Sequence, residues 1–158
     1  MDSTLFTGVN HISVTVSNID RSVKFYTEIM GMTLDNIRYG VDLEYIRKVT
    51  GYPDGILHVA FMTCPGIRLE LIQYVQPKGQ ALDVSPHNTC SSHICFSTTD
   101  AHKAYELCQG KGIMTKNPPT LIDSGPSTGA VAFYLLDPDR YNLEIYQPAS
   151  VKKTEEGK

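Results

Sequence analysis

Alternation of apolar and polar residues near the start of the chain predicts a half-buried strand over residues 9–16. Three apolar side chains share one face and three polar ones share the other: Ile12, Val14 and Val16 against His11, Ser13 and Thr15. Apolar residues then recur every three or four positions, as on one stripe of a helix: Ile19, Val23, Tyr26 and Met30. Asn18 or Asp20 offers an N-cap oxygen, and Gly31 predicts the end of the helix.

The pattern of the next sixty residues predicts a strand hairpin after a mixed region. Residues 33–53 have no clear period, although residues 43–49 could form a short helix or an irregular connection. Residues 56–62 and 67–74 are strands by composition, and the turn Cys64-Pro-Gly66 joins them. Residues 76–90 are rich in Pro, Gly, Ser and Asn without periodicity, which predicts a linker.

The remaining chain repeats the order strand, helix, strands. A strand is predicted from residue 92, and a helix capped by Asp100 runs to about residue 111. A weak strand around residues 121–122 and strong strands at 130–136 and 141–146 follow, the last two joined by the turn Asp137-Pro-Asp139. Each half therefore predicts a βαβββ order, and the fold class is α+β.

The two halves also repeat two polar residue types. Each half has a His at the start of its first strand and a Glu flanked by apolar residues in its last one, namely His11 and Glu70, then His93 and Glu144. Any one of these residues alone has an ordinary explanation as a solvent-facing strand residue. Their equivalent positions in a repeat make four potential metal ligands the stronger interpretation.

These motifs resemble those of the vicinal oxygen chelate superfamily, which includes glyoxalase I, methylmalonyl-CoA epimerase, extradiol dioxygenases and bleomycin-resistance proteins. The resemblance covers about residues 8–148. It rests on His11-Ile-Ser-Val, Phe25-Tyr-Thr-Glu-Ile-Met-Gly31, Leu69-Glu-Leu71, His93-Ile-Cys-Phe96 and Asp137-Pro-Asp139 with Leu143-Glu-Ile145. It implies two modules, about residues 8–75 and 91–148, that form a cupped, incomplete mixed β-barrel with helices outside, and one domain over residues 1–150.

The resemblance also implies a site chemistry. The ligands of a divalent ion (Zn, Ni, Co, Mn or Fe) would be His11, Glu70, His93 and Glu144. Glyoxalases and epimerases of this superfamily stabilise an enediolate or enolate while a carboxylate moves the proton. Here Glu144 or Glu70 would be that base, with Glu44 as a third candidate unless it is a solvated acid beside Arg47 and Lys48. His58 and Tyr134 are candidate substrate contacts.

Three functions remain open at this stage. The leading hypothesis is a metal-dependent isomerase or lyase that acts on a small oxygenated substrate. An iron-dependent extradiol-type dioxygenase is the second, and a non-catalytic small-molecule or drug-binding resistance protein is the third. Two departures from the family matter: Arg140 stands where the turn usually has Gly, and Ser13 and Thr15 replace the basic residue that glutathione-using glyoxalases present on the first strand.

Composition and charge argue against nucleic acid and membranes as partners of this chain. A formal net charge of −3 in 158 residues and a pI near 5.9 give no basic face for nucleic acid. No apolar run is long enough to span a membrane and no signal-peptide pattern is present, so we expect a cytoplasmic protein. Four irregularly spaced cysteines predict reduced thiols. Residues 151–158 predict a disordered tail, and a homodimer is expected by analogy with the superfamily.

Overall fold

The computed structural model describes residues 5–150. The chain divides into two compact units between Ala81 and Leu82, inside the segment predicted as a linker. The predicted disordered tail, residues 151–158, lies outside the described residues, and the single domain over residues 1–150 stays a prediction. No helix within residues 5–150 is long and apolar enough to cross a membrane.

The first unit contains a four-stranded mixed sheet and two helices. Its elements are β1 (Ile12–Thr15), α1 (Ile19–Glu28), β2 (Thr33–Val41), α2 (Glu44–Thr50), β3 (Ile56–Cys64) and β4 (Ile67–Gln76). The strand order is β1-β4-β3-β2, with β1 parallel to β4 and the other pairs antiparallel. Helix α2 resolves the ambiguous region after β2 in favour of the short helix.

The second unit has the same topology with one helix. Its elements are β5 (His93–Ser97), α3 (Ala101–Gly110), β6 (Thr120–Leu121), β7 (Val131–Leu136) and β8 (Asn142–Gln147). The order β5-β8-β7-β6 repeats that of the first sheet, again with a parallel outer pair. The α+β class and the repeated module are confirmed, and within the described residues neither sheet closes into a barrel.

The first helix of each module begins with the same pair of polar contacts. The Asn18 side chain accepts from the Arg21 amide at 2.9 Å, and the Asp100 side chain accepts from the Lys103 amide at 3.0 Å. A glutamine three residues after each repeated Glu accepts the first amide of the helix at 2.8 Å: Gln73 from Ile19, and Gln147 from Ala101. The repeated glutamine therefore ties each helix to the strand that carries the Glu.

Strand phase separates the apolar core from the polar face in both units. Leu69 and Leu71 are 0% exposed and alternate with Glu70, while Leu143 and Ile145 are buried and alternate with Glu144. Helix α1 packs on β3 and β4, and α3 packs on β7 and β8. Ile12 departs from the predicted pattern, since it is 41% exposed, whereas Val14 on the same face of β1 is buried.

The turns between the last two strands of each module differ in length, but each contains one residue at positive φ. Gly66 joins β3 to β4 with φ +89°, a conformation that glycine adopts without steric cost. The corresponding turn in the second unit places Arg140 at φ +69°. Two amides, those of Asp139 and Tyr141, donate to Asp137 Oδ1 at 2.8 Å and hold this turn. The predicted turn after Asp137 is therefore formed without a glycine. Arg140 adopts the left-handed conformation there and bears the strain that its side chain causes.

Candidate functional site

The first His and Glu come together within the first unit. Glu70 lies in β4 opposite Ser13 of β1, and His11 lies one residue before β1 begins. His11 Nε2 is 3.3 Å from Glu70 Oε2, with the Glu70 side chain 16% exposed and that of His11 36% exposed. The strand was predicted from residue 9, whereas β1 begins at Ile12. His11 therefore precedes the strand and extends its polar face.

A neighbouring amide fixes how the His11 ring is used. His11 Nδ1 lies 2.9 Å from Asn10 Oδ1, an oxygen that only accepts, so the tautomer with its proton on Nδ1 donates to Asn10. In that tautomer the Nε2 lone pair and the Glu70 carboxylate are both acceptors and face each other. This arrangement suits a cation shared by the two groups.

The second pair repeats this arrangement. His93 is the first residue of β5, and Glu144 of β8 lies opposite Cys95. His93 Nε2 is 3.0 Å from Glu144 Oε2, with side chains 41% and 20% exposed. Each module thus places one imidazole nitrogen and one carboxylate oxygen side by side on the polar face of its sheet.

A tyrosine distinguishes the second pair from the first. Tyr134 of β7 lies opposite Glu144, and its hydroxyl is 3.3 Å from His93 Nε2 and donates to Glu144 Oε2 at 3.4 Å. The Tyr134 and His93 rings meet edge to face at 5.2 Å between centroids. Partial burial and then the Glu144 charge raise the pKa of Tyr134, so the phenol stays protonated and keeps its donor.

Cys95 is a second neighbour of Glu144. Its residue is exposed and its thiol is free, as are the thiols of the three other cysteines. Loss of hydration around the thiol, followed by the charge of Glu144 and a hydrogen bond to it, raises the pKa of Cys95 to about 11. The thiol therefore stays protonated at neutral pH.

The donor sets suit a divalent ion. Ligand atoms that lie about 2.1 Å from one ion at tetrahedral or octahedral angles are about 3.0 to 3.4 Å apart. The His-to-Glu separations of 3.3 Å and 3.0 Å fall in this range. Imidazole nitrogen and carboxylate oxygen are ligands that Zn, Ni, Co, Mn and Fe accept. Among the described residues no three His, Cys, Asp or Glu side chains gather as a metal site, so each unit by itself offers a pair.

The structure does not bring His58 or Glu44 to these pairs. His58 of β3 lies opposite Gln73, on the helix-facing side of the sheet rather than beside Glu70, and its Nδ1 accepts from the Gly40 amide at 2.9 Å. Glu44 begins α2 with a side chain 75% exposed and pairs with Lys48 at 2.6 Å. This position fits the interpretation of Glu44 as a solvent-exposed acid of a helix.

Two residues of the first unit were missed by sequence reasoning. Phe61 lies opposite Glu70 on the same face, and its ring meets His11 edge to face at 5.8 Å. The guanidinium carbon of Arg68 lies 4.2 Å from the Phe61 ring centroid. Arg68 stands two residues before Glu70, so strand alternation alone could have placed it on the Glu70 face.

Comparison with known proteins gives a family and a fold. Residues 8–145 match the Glyoxalase/Bleomycin resistance protein/Dioxygenase superfamily. A lactoylglutathione lyase of Haemophilus influenzae is 26% identical over 144 residues, which cover 90% of this chain and 93% of that protein. A 2-epi-5-epi-valiolone epimerase of Actinomyces is 24% identical over 141 residues, 87% of this chain and 77% of the relative. The lactoylglutathione lyase GLX1 of Arabidopsis thaliana is longer, and the chain covers 43% of it at 29% identity.

A solved structure supports the same fold. The glyoxalase family protein APC24694 of Bacillus cereus aligns with a TM-score of 0.80 over 94% of this chain and 99% of that one. The sequences are 18% identical, so this likeness concerns the fold.

Proposed function

The chain belongs to the Glyoxalase/Bleomycin resistance protein/Dioxygenase superfamily, and from this premise we propose that it is a metal-dependent lyase or isomerase of that superfamily. Its substrate is a small oxygenated compound that chelates the metal through adjacent oxygens. The observation that carries the proposal is the repeated His–Glu pair, with nitrogen and oxygen 3.3 Å apart in one module and 3.0 Å apart in the other.

The proposed ligands are His11, Glu70, His93 and Glu144. Two carboxylates and two neutral imidazoles balance the charge of a divalent ion, which favours binding without a surplus of either sign. The contact of His11 Nδ1 with Asn10 supports this role, because a proton donated from Nδ1 to Asn10 leaves Nε2 for the metal. A bound divalent ion supplies Lewis-acid polarisation of the substrate oxygens.

The proton transfer falls to the carboxylates of this ligand set. A carboxylate oxygen of Glu70 or Glu144 accepts the proton from the carbon next to the polarised group and returns it to the product. Glu44 is a weaker candidate for this role, since it lies in α2 and is paired with Lys48. The Tyr134 hydroxyl, beside both His93 and Glu144, orients an oxygen of the substrate by hydrogen bonding.

Substrate class separates the relatives from one another. The relatives include a lactoylglutathione lyase and a 2-epi-5-epi-valiolone epimerase, whose names indicate different substrates. Ser13 and Thr15 leave the first strand without a basic side chain, so we do not propose glutathione conjugates as substrates. We expect a homodimer, which light scattering after size-exclusion chromatography measures.

Elemental analysis of the purified full chain tests the metal site. We expect bound divalent metal in the wild type and at least a tenfold loss of affinity in Glu70→Ala and in His93→Ala. Lys48→Ala, whose side chain is 73% exposed, is the control and should keep full occupancy. Full occupancy in both site variants would contradict the proposed site.

Solvent deuterium separates the reaction classes on the same preparation. Exchange of deuterium from solvent into a 2-oxo compound or a thioester is expected for a lyase or isomerase that removes a proton beside a carbonyl. Bound iron with oxygen consumption on catechols would instead support the dioxygenase hypothesis.

A further inference from the structure

Arg68 is a cation on the same face as Glu70. Residues two apart along a strand point to the same side and lie about 7 Å from each other. Arg68 and Glu70 have this spacing in β4, with Thr63 and Phe61 as their respective partners in β3. A positive side chain thus lies within reach of a small molecule bound at the His11–Glu70 pair.

The guanidinium of Arg68 is held by an aromatic ring and not by a carboxylate. Its central carbon lies 4.2 Å from the Phe61 centroid, and the Phe61 ring in turn contacts the His11 ring. Within residues 5–150 no ion pair is found for Arg68, whereas Arg47 pairs with Asp42. Stacking orders the group and leaves its N–H edges available to another acceptor.

The equivalent position of the second module carries no charge. When the two modules are aligned on Glu70 and Glu144, Asn142 stands at the position of Arg68, two residues before the Glu. Asn142 is 1% exposed, accepts from Lys116 Nζ at 2.6 Å and donates to the Val84 carbonyl. Its polar atoms are therefore occupied, while those of Arg68 are at the surface.

We propose that Arg68 binds an anionic group of the substrate, so that the preferred substrates carry a carboxylate or phosphate beyond the oxygens that chelate the metal. This inference rests on the proposed function and names its substrate class. Two His and two Glu around a divalent ion give a neutral set, and Arg68 adds one positive charge beside it. A bidentate guanidinium contact then favours an anion over a neutral analogue of the same shape.

A matched pair of chelators tests this assignment on the metal-loaded full chain. One is succinic acid monohydroxamate, whose tail is a carboxylate, and the other is the same hydroxamate with a terminal amide. Calorimetry should show that the wild type prefers the anionic compound about tenfold, and that Arg68→Gln removes most of this preference while it changes affinity for the neutral compound less than about twofold. Arg68→Lys should keep only part of the preference, because an ammonium neither stacks nor forms a fork in the same way.

Lys24→Gln is the control, since it makes the same change in net charge at an exposed position of α1, a helix that packs on the opposite face of the sheet. The role of Arg68 would be overturned if the wild type bound the two hydroxamates with equal affinity. It would also be overturned if Arg68→Gln and Lys24→Gln lost the preference for the anionic compound to the same extent. In either case the metal site would stand. Failure of the protein to bind metal would overturn the proposed function and, with it, a subsite for a chelated substrate.

Discussion

The two modules share their backbone and differ in what surrounds the repeated His–Glu pair. In the first, the residue opposite Glu70 across the hairpin is Phe61, and in the second the residue opposite Glu144 is Tyr134. The parallel partner of the Glu changes likewise, from Ser13 to Cys95. The first pair therefore has an apolar wall with a stacked arginine beside it, whereas the second has two weak proton donors on its carboxylate. The repeat therefore keeps the His–Glu pair, whereas the side chains around it differ in chemistry.

The largest effect is expected where the modules are alike. Leu69 and Leu143 are both 0% exposed, and each precedes the repeated Glu. Leu69→Ala and Leu143→Ala should each lower the free energy of unfolding by about 3 kcal/mol, because each leaves a cavity under the strand that carries the Glu. Denaturant unfolding measures this, with Leu82→Ala as the control because Leu82 is 80% exposed. A loss in only one module would show that the two cores are not equivalent.

This equivalence is the part of the molecule that sequence predicts well. Alternation assigned the buried and polar faces of β4 and β8 correctly, because a one-residue slip would bury Glu70 and Glu144. The cap at Asp100 was also predicted, and Asn18 was one of two candidates, with Asp20, for the first helix. Helix α2 was ambiguous because its apolar residues are not buried and so left no clear period.

The surroundings of the pairs were much harder to predict. The position of His58 on the helix side depends on its register with Gln73, which the hairpin turn sets and composition does not. Gln73 and Gln147 occupy equivalent positions of the repeat, but their hydrogen bonds to helix amides could not be predicted from neighbouring residues. Their partners lie 54 and 46 residues away along the chain. Alternation could have placed Arg68 on the Glu70 face, but its contact with Phe61 could not be predicted, because Phe61 lies on a neighbouring strand.

The next largest effect should come from making the second module resemble the first. Tyr134→Phe removes the hydroxyl beside His93 and Glu144, and we expect about a fivefold to tenfold loss of metal affinity because these residues lose an orienting contact. Competition with a chromophoric chelator measures the loss. Tyr45→Phe, on exposed α2, is the control and should change nothing. Equal affinities for the two variants would show that the phenol does not act on the pair.

Cys95 reports the charge of Glu144 by its reactivity. Because Glu144 contributes to the raised pKa of Cys95, Glu144→Gln should lower that pKa, increase the thiolate fraction and speed alkylation about threefold at pH 8. Mass spectrometry of the Cys95 peptide from metal-free protein follows the rate. Glu70→Gln makes the same change in the module that has Ser13 instead, and should leave the rate unchanged. An identical acceleration in both variants would contradict a local effect of Glu144.

The smallest effect concerns the turns that follow β3 and β7, where the first module has Gly66 and the second has Arg140 at positive φ. A residue with a Cβ in this region costs about 1 kcal/mol of folding free energy, which a glycine would avoid. Part of that gain is lost because glycine also raises the entropy of the unfolded chain. Arg140→Gly should therefore raise the free energy of unfolding by about 0.5 kcal/mol. Arg140→Ala keeps the Cβ and should give no gain, so it separates relief of backbone strain from loss of the exposed charge. If both variants stabilise the protein equally in denaturant unfolding, the charge and not the backbone distinguishes this turn from its counterpart at Gly66.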